Sequence, residues 1–139
     1  LDNGLDVVGP RTNFASGPQY ILLSDFYHDE KELYEVSNKI HSNNCHKHFE
    51  TDNVIGFCMM FRREVLDKIG LLDEQFGIGT YEDTDFCFRA KKLNFKLGIA
   101  LDTYIHHFGS MTVGQNYHTY TKLLCDNAKL YYQKWKDYE

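Results

Sequence analysis

Three carboxylates, Glu82, Asp83 and Asp85, fall inside the segment Gly79-Thr-Tyr-Glu-Asp-Thr-Asp-Phe-Cys-Phe-Arg89. The segment has the look of a helix start, where the positive end of the helix dipole favours ionised acids. Helical spacing lets Asp85 pair with Arg89 at i, i+4, which leaves Glu82 and Asp83 free to face a pocket. A positioned carboxylate can take the proton from a hydroxyl as its oxygen attacks, so Asp83 is a candidate general base with Glu82 beside it. A purely structural reading fits the same residues, because Thr80 with Asp83 spells a capping box. Asp83-Thr-Asp85 also spells D-x-D, a pair that can chelate Mg²⁺ or Mn²⁺ from a loop after a strand. Here the acids enter a helix and are followed by Phe86 and Arg89, so they do not read as a nucleotide-diphosphate site.

Other groups could bind rather than react. Ile105-His-His-Phe-Gly-Ser110 reads as a strand end running into a Gly/Ser loop. Imidazole there suits a borderline metal. Strand alternation would send His106 and His107 to opposite faces, so at most one faces a site. Cys45-His46-Lys-His48 resembles a zinc cluster, but its spacing matches no standard finger. Asn13, Ser16 and Gln19 can grip hydroxyls or simply tie their own loop together.

Something must position these groups. The 139 residues suit one domain, with 42% hydrophobic, 25% charged and 15% aromatic residues. A net charge of −5 argues against a phosphate backbone as the partner, so no nucleic acid is expected. No apolar run reaches the roughly 20 residues of a membrane span. Cys45, Cys58, Cys87 and Cys125 read as reduced thiols of a cytosolic protein.

Along the chain, 5–9 reads as a buried strand ended by Pro10, and 10–20 as an ordered loop. Helical spacing predicts a helix over 29–41, followed by a polar loop over 42–51. The apolar run 54–61 reads as a continuous buried strand. A short helix follows over 62–69 and stops at Gly70. After a loop over 71–79, a helix is predicted from Thr80 to about Leu93. Strands are predicted over 95–101 and 103–107, then a turn-rich loop over 109–114. An amphipathic helix over 115–136 would bury Tyr120, Leu123, Leu124, Leu130, Tyr131 and Trp135. The class is α/β.

In this order the segments resemble bacterial family 2 glycosyltransferases of GT-A type, over about residues 5–136. Val8-Gly-Pro-Arg-Thr-Asn13 with Ser16 and Gln19 is similar to the strand and loop that follow their D-x-D region. Gly56-Phe-Cys-Met-Met-Phe-Arg-Arg-Glu-Val-Leu-Asp-Lys-Ile-Gly-Leu-Leu-Asp-Glu-Gln-Phe76 is similar to their buried strand, short helix and G-x-x-D-E-x-F turn. Gly79–Arg89 resembles their E-D-x-D-x-x-x-R segment, and Ile105–Thr112 their terminal H-x-x-(G/S)-x-(S/T) loop. Cys58, the Gly79-Thr-Tyr81 lead-in and Lys134-Trp135 point toward a subgroup found beside tetratricopeptide repeats.

The resemblance implies an inverting nucleotide-sugar transferase with a mixed sheet flanked by helices. It makes Asp83 the catalytic base with Glu82 beside it, and His107 the histidine that approaches the metal-diphosphate. Gly56, Asn13, Gln19, Asp85 and Arg89 are the candidate substrate-binding residues. The cofactor implied is Mg²⁺ or Mn²⁺ in the complete enzyme. The partners implied are a nucleotide-sugar donor and a glycan or protein acceptor, on the cytoplasmic side and membrane-associated through the parent protein.

The family's N-terminal nucleotide-binding half and its D-x-D motif have no counterpart in these residues. The expectation is therefore a partial GT-A fold, residues 1–139 forming an acceptor-side single domain that is inactive alone. Its uncovered sheet edge would favour self-association. The rival expectation is a non-catalytic carbohydrate- or protein-binding module that keeps the half-fold.

Overall fold

A computed structural model describes residues 4–23, 27–109 and 117–138. Eight regular elements follow one another: β1 (Val7–Arg11), α1 (Glu30–Asn44), β2 (His48–Glu50), β3 (Met60–Phe61), α2 (Arg63–Ile69), α3 (Glu82–Lys92), β4 (Leu97–Tyr104) and α4 (Tyr117–Trp135). They build a mixed α/β structure, a four-stranded sheet with flanking helices and strand order β2-β4-β1-β3. The central strands β1 and β4 run parallel, Val7 opposite Leu97 and Gly9 opposite Ile99. The edge strands β2 and β3 are antiparallel to their neighbours.

The core lies where β1 and β4 meet α2 and α3. Val7, Val54, Val65, Phe86, Cys87, Ala90 and Leu97 form one buried cluster. α1 packs against β4. It begins at Asp29, whose side chain accepts the Glu32 N–H as an N-cap. α2 ends at Gly70, whose positive φ of 77° is the conformation glycine favours, as its sequence position predicts.

The apolar run 54–61 is not a continuous strand, since only Met60 and Phe61 pair with β1. The reason is where its backbone donors go. The N–H groups of Val54, Ile55 and Gly56 are bonded in turn to Cys87 Sγ, Gln19 Oε1 and Asp83 Oδ2. Three consecutive donors bonded to side chains cannot also serve a sheet ladder.

Other boundaries differ as well. The polar stretch 42–51 holds the last turn of α1 and edge strand β2, whose three residues are all exposed. Its pairing comes from backbone bonding to β4, which composition does not reveal. The two strands predicted over 95–107 are one strand, β4, and 105–109 is irregular. Of the predicted loop over 109–114 all but Gly109 lies outside the described residues, as do Ser110–Thr112 of the terminal loop and the first residues of the last helix. On α4, Leu124 and Leu130 remain more than one-third exposed, while the polar Asn127 is buried. All four cysteines are free thiols.

Among the described residues, no helix is long and apolar enough to cross a membrane.

Candidate active site

The residues before α3 adopt an uncommon backbone. Thr80 and Tyr81 both have φ of 69°, a left-handed conformation rare for residues with side chains. Such geometry persists only where the surroundings over-determine it. Here the surroundings include Asn127 on α4, whose side-chain amide reaches four oxygens: Phe76 O, Gly79 O, Thr80 O and Thr80 Oγ1, all at 2.8–3.0 Å. The capping box expected of Thr80 and Asp83 is not formed, because α3 begins one residue later, with Tyr81 at its N-cap; Thr80 Oγ1 accepts from Asn127.

The strained turn delivers Glu82 and Asp83 to one wall of a broad cleft of about 1260 Å³. Asp83 is fixed at both oxygens. Oδ2 accepts the Gly56 N–H at 2.8 Å, and Oδ1 accepts the Thr84 N–H at 2.7 Å. Gly56 packs closely here, since an added Cβ would stand 3.1 Å from Asp83 Cβ and Asp83 would have to give way by a few tenths of an ångström. Thus Gly56 and Asp83 are brought together, and both line the cleft.

Glu82 is half-buried and lines the same wall. Its Oε2 is buried without a hydrogen-bond partner. Burial raises its carboxyl above the usual range, and the neighbouring Asp83 charge raises it further.

His107 lines the same cleft. Its backbone is clasped by Asn13, which donates from Nδ2 to His107 O at 3.2 Å and accepts the His107 N–H at Oδ1 at 2.9 Å. The imidazole Nδ1 lies 2.7 Å from Phe14 O. A carbonyl can only accept, so Nδ1 carries a proton, and in the neutral ring Nε2 is then the lone-pair nitrogen. Phe57 stacks on the ring at 4.6 Å between centroids, 11° from parallel. His106 also lines the cleft, but its ring meets Tyr27, whereas the His107 ring meets Phe14 and Phe57. His106 Nδ1 bonds Tyr27 Oη, which in turn bonds Tyr104 Oη at 2.9 Å.

Three predicted residues lie away from the cleft. Gln19 is 1% exposed and acts as a strut, donating to Pro10 O and accepting from Ile55 N. Gly9 makes room for it, since an added Cβ would come within 2.6 Å of Gln19 Nε2. Asp85 is fully buried. Its Oδ2 accepts from Arg89 Nε at 2.8 Å, as the i, i+4 spacing predicts. Its Oδ1 takes Trp135 Nε1 at 2.9 Å and Lys134 Nζ at 2.6 Å. Arg89 continues to Ile69 O and Leu71 O. Asp83 and Asp85 therefore do not converge on one ion.

Sequence reasoning missed Asn127 and Phe57. The signal for Asn127 is its place on the stripe Tyr120, Leu124, Asn127, Tyr131, where every neighbour is apolar or aromatic. Phe57 carries no such signal, since its role depends on a contact 50 residues away. The cleft is also rich in aromatic rings, Tyr20, Tyr81, Tyr120, Tyr131 and Tyr132 among them.

No family model matches the chain. No solved structure matches it significantly. Over 47 residues the chain is 40% identical to a protein of Haloferax volcanii described as low-salt glycan biosynthesis hexosyltransferase Agl10. The matched stretch is 34% of this chain, and the chain spans only 15% of that relative. About a third of the sequence is thus similar to part of a glycosyltransferase.

Proposed function

We propose that the chain is the acceptor-side part of a family 2, GT-A type glycosyltransferase. In this reading an acceptor hydroxyl attacks the anomeric carbon of a nucleotide sugar with inversion. Asp83 takes the hydroxyl proton as the new C–O bond forms. The bond from the anomeric carbon to phosphate breaks, and the nucleoside diphosphate leaves.

The observation that carries the reading is the mounting of Asp83. Its carboxylate is held at the cleft wall by the Gly56 and Thr84 amides, and Oδ2 receives one of these bonds. An oxygen with one such partner keeps a lone pair for a substrate proton. Glu82, poorly solvated beside it, holds a proton more readily than an ordinary carboxyl. The cleft's tyrosines suit the apolar faces of sugar rings. The partial identity with a hexosyltransferase supports the same class.

A divalent ion fits at His107, whose Nε2 lone pair is the right donor for Mn²⁺ and, less well, Mg²⁺. When bound, such an ion would neutralise charge on the departing diphosphate. One imidazole does not hold it alone, and Asp85 is engaged elsewhere. The proposal therefore assigns the remaining ligands and the donor's nucleotide to residues outside this chain or to the substrate.

The test uses the whole transferase that contains this chain, with a panel of nucleotide sugars and glycan or protein acceptors. Transfer that needs a divalent ion and falls at least about a hundredfold on Asp83→Asn is the expected result. Binding of a glycan without turnover by any donor would overturn it in favour of a non-catalytic binding module.

A further inference from the structure

Outside the residues that line the cleft, the sequence places a cysteine and two histidines close together at Cys45-His46-Lys-His48. The structure rearranges that group. His48 lies on edge strand β2, paired with Ala100 and exposed. His46 adopts a left-handed φ of 60° just after α1, which turns the chain onto β4. There its backbone N–H donates to Asp102 Oδ2 at 3.0 Å. Cys45, His46 and Asp102 each present one ligand atom, all within 4.8 Å of one another. His41, one helical turn before Cys45, brings Nδ1 to 3.9 Å from the same Asp102 oxygen.

We propose that Cys45, His46 and Asp102, with His41 as fourth donor, bind a divalent cation of the zinc class. A thiolate, two imidazoles and a carboxylate are the donor types zinc takes in tetrahedral sites. Ligand atoms around tetrahedral zinc stand roughly 3.5 Å apart, so Cys45, His46 and Asp102 must draw together by roughly 1 Å and His41 must swing in from beside Asp102. Hard ions such as Mg²⁺ prefer all-oxygen sets and do not suit a thiolate. Binding releases the Cys45 proton, since only the thiolate is a ligand. Cys45 and His46 are exposed, so the ion has an open approach.

The site ties the end of α1 to β4. Asp102 is near the end of β4, five residues before His107, so the ion braces the strand that leads to the cleft. The proposal is independent of the transferase reading, and its test does not use activity.

The probe is Co²⁺, then Zn²⁺, added to the full chain kept reduced and metal-free. Thiolate-to-cobalt charge-transfer absorption should rise to an equimolar end point and be displaced by Zn²⁺. Cys45→Ser should abolish that absorption, and Asp102→Asn should weaken binding by about tenfold or more. Zn²⁺ should raise the melting temperature of the wild type but not of Cys45→Ser. His48→Ala should bind like the wild type. Weak binding without an end point would overturn the proposal. So would loss on His48→Ala with retention on Asp102→Asn.

Discussion

Asp83 and Asp85 stand two residues apart on one turn of α3, yet their surroundings are opposites. Asp83 lies at the cleft wall, held by two backbone amides. Asp85 is fully buried, and its partners come from α3 itself and from α4, namely Arg89, Lys134 and Trp135. The helix period of 3.6 residues explains how two near neighbours face different ways. One turn of helix thus carries a group available for chemistry and a group that locks α4 against α3. The lesson is that an acidic helix start is not one feature. Each carboxylate has to be judged by what it meets.

The comparison can be broken most easily at Asp85. Asp85→Asn removes the charge that Arg89 and Lys134 share, and removing one partner from a buried ionic group costs about 3–5 kcal/mol. Urea unfolding should show a loss of that order. A loss under about 1 kcal/mol would mean the α3–α4 lock is not structural. Next in size is Asn127→Ala, which strips the carbonyls of Phe76, Gly79 and Thr80 of their amide donor. Unsatisfied buried polar groups put the expected loss at about 2 kcal/mol. Because Asn127 steadies the turn that presents Asp83, activity of the whole enzyme should fall as well. Unchanged activity would separate that turn from catalysis.

Smaller still is the effect of Asp83→Asn on stability. The asparagine oxygen can still accept the Gly56 or Thr84 amide, so the change should stay within about 1 kcal/mol. A larger loss would move Asp83 to the structural side of the comparison. The smallest effect belongs to Glu82→Gln. The folded chain raises the Glu82 pKa from its ordinary 4.5, so the folded state holds that proton more tightly than the unfolded state. Stability is therefore lost as pH rises through the raised value, and the wild type carries the full penalty above it. Glu82→Gln should melt a few degrees higher than wild type near neutral pH. The advantage should shrink as pH falls through the raised value and vanish below 4.5, and a constant advantage across the range would exclude the ionic cause.

The elements that the sequence announces plainly are those with strong local signals. The spacing of Leu33, Val36 and Ile40 marks α1, Gly70 marks the end of α2, and the pair Asp85–Arg89 forms as i, i+4 spacing predicts. What could not be read is decided by distant partners. Val54–Gly56 looks like a strand until Cys87, Gln19 and Asp83 take its amides. Gln19 looks like a ligand-gripping side chain until burial makes it a strut. In the cleft, Asp83, Glu82, Gly56, Asn13 and His107 were all visible as residue types in suitable segments. Their convergence is not, because it depends on the parallel pairing of β1 with β4 and on Asn127 from the last helix. The exposed β2 edge is hidden from the sequence for a related reason. Its residues show no apolar alternation, and only the backbone of β4 makes them a strand.

The most direct test is a matched pair of substitutions in the whole transferase, Asp83→Asn and Asp85→Asn, each measured for turnover and for unfolding. The account predicts that Asp83→Asn folds like the wild type and loses about a hundredfold or more in kcat. It predicts that Asp85→Asn loses stability first, with kcat near wild type in the fraction that stays folded. Near-normal turnover of a folded Asp83→Asn enzyme would contradict it.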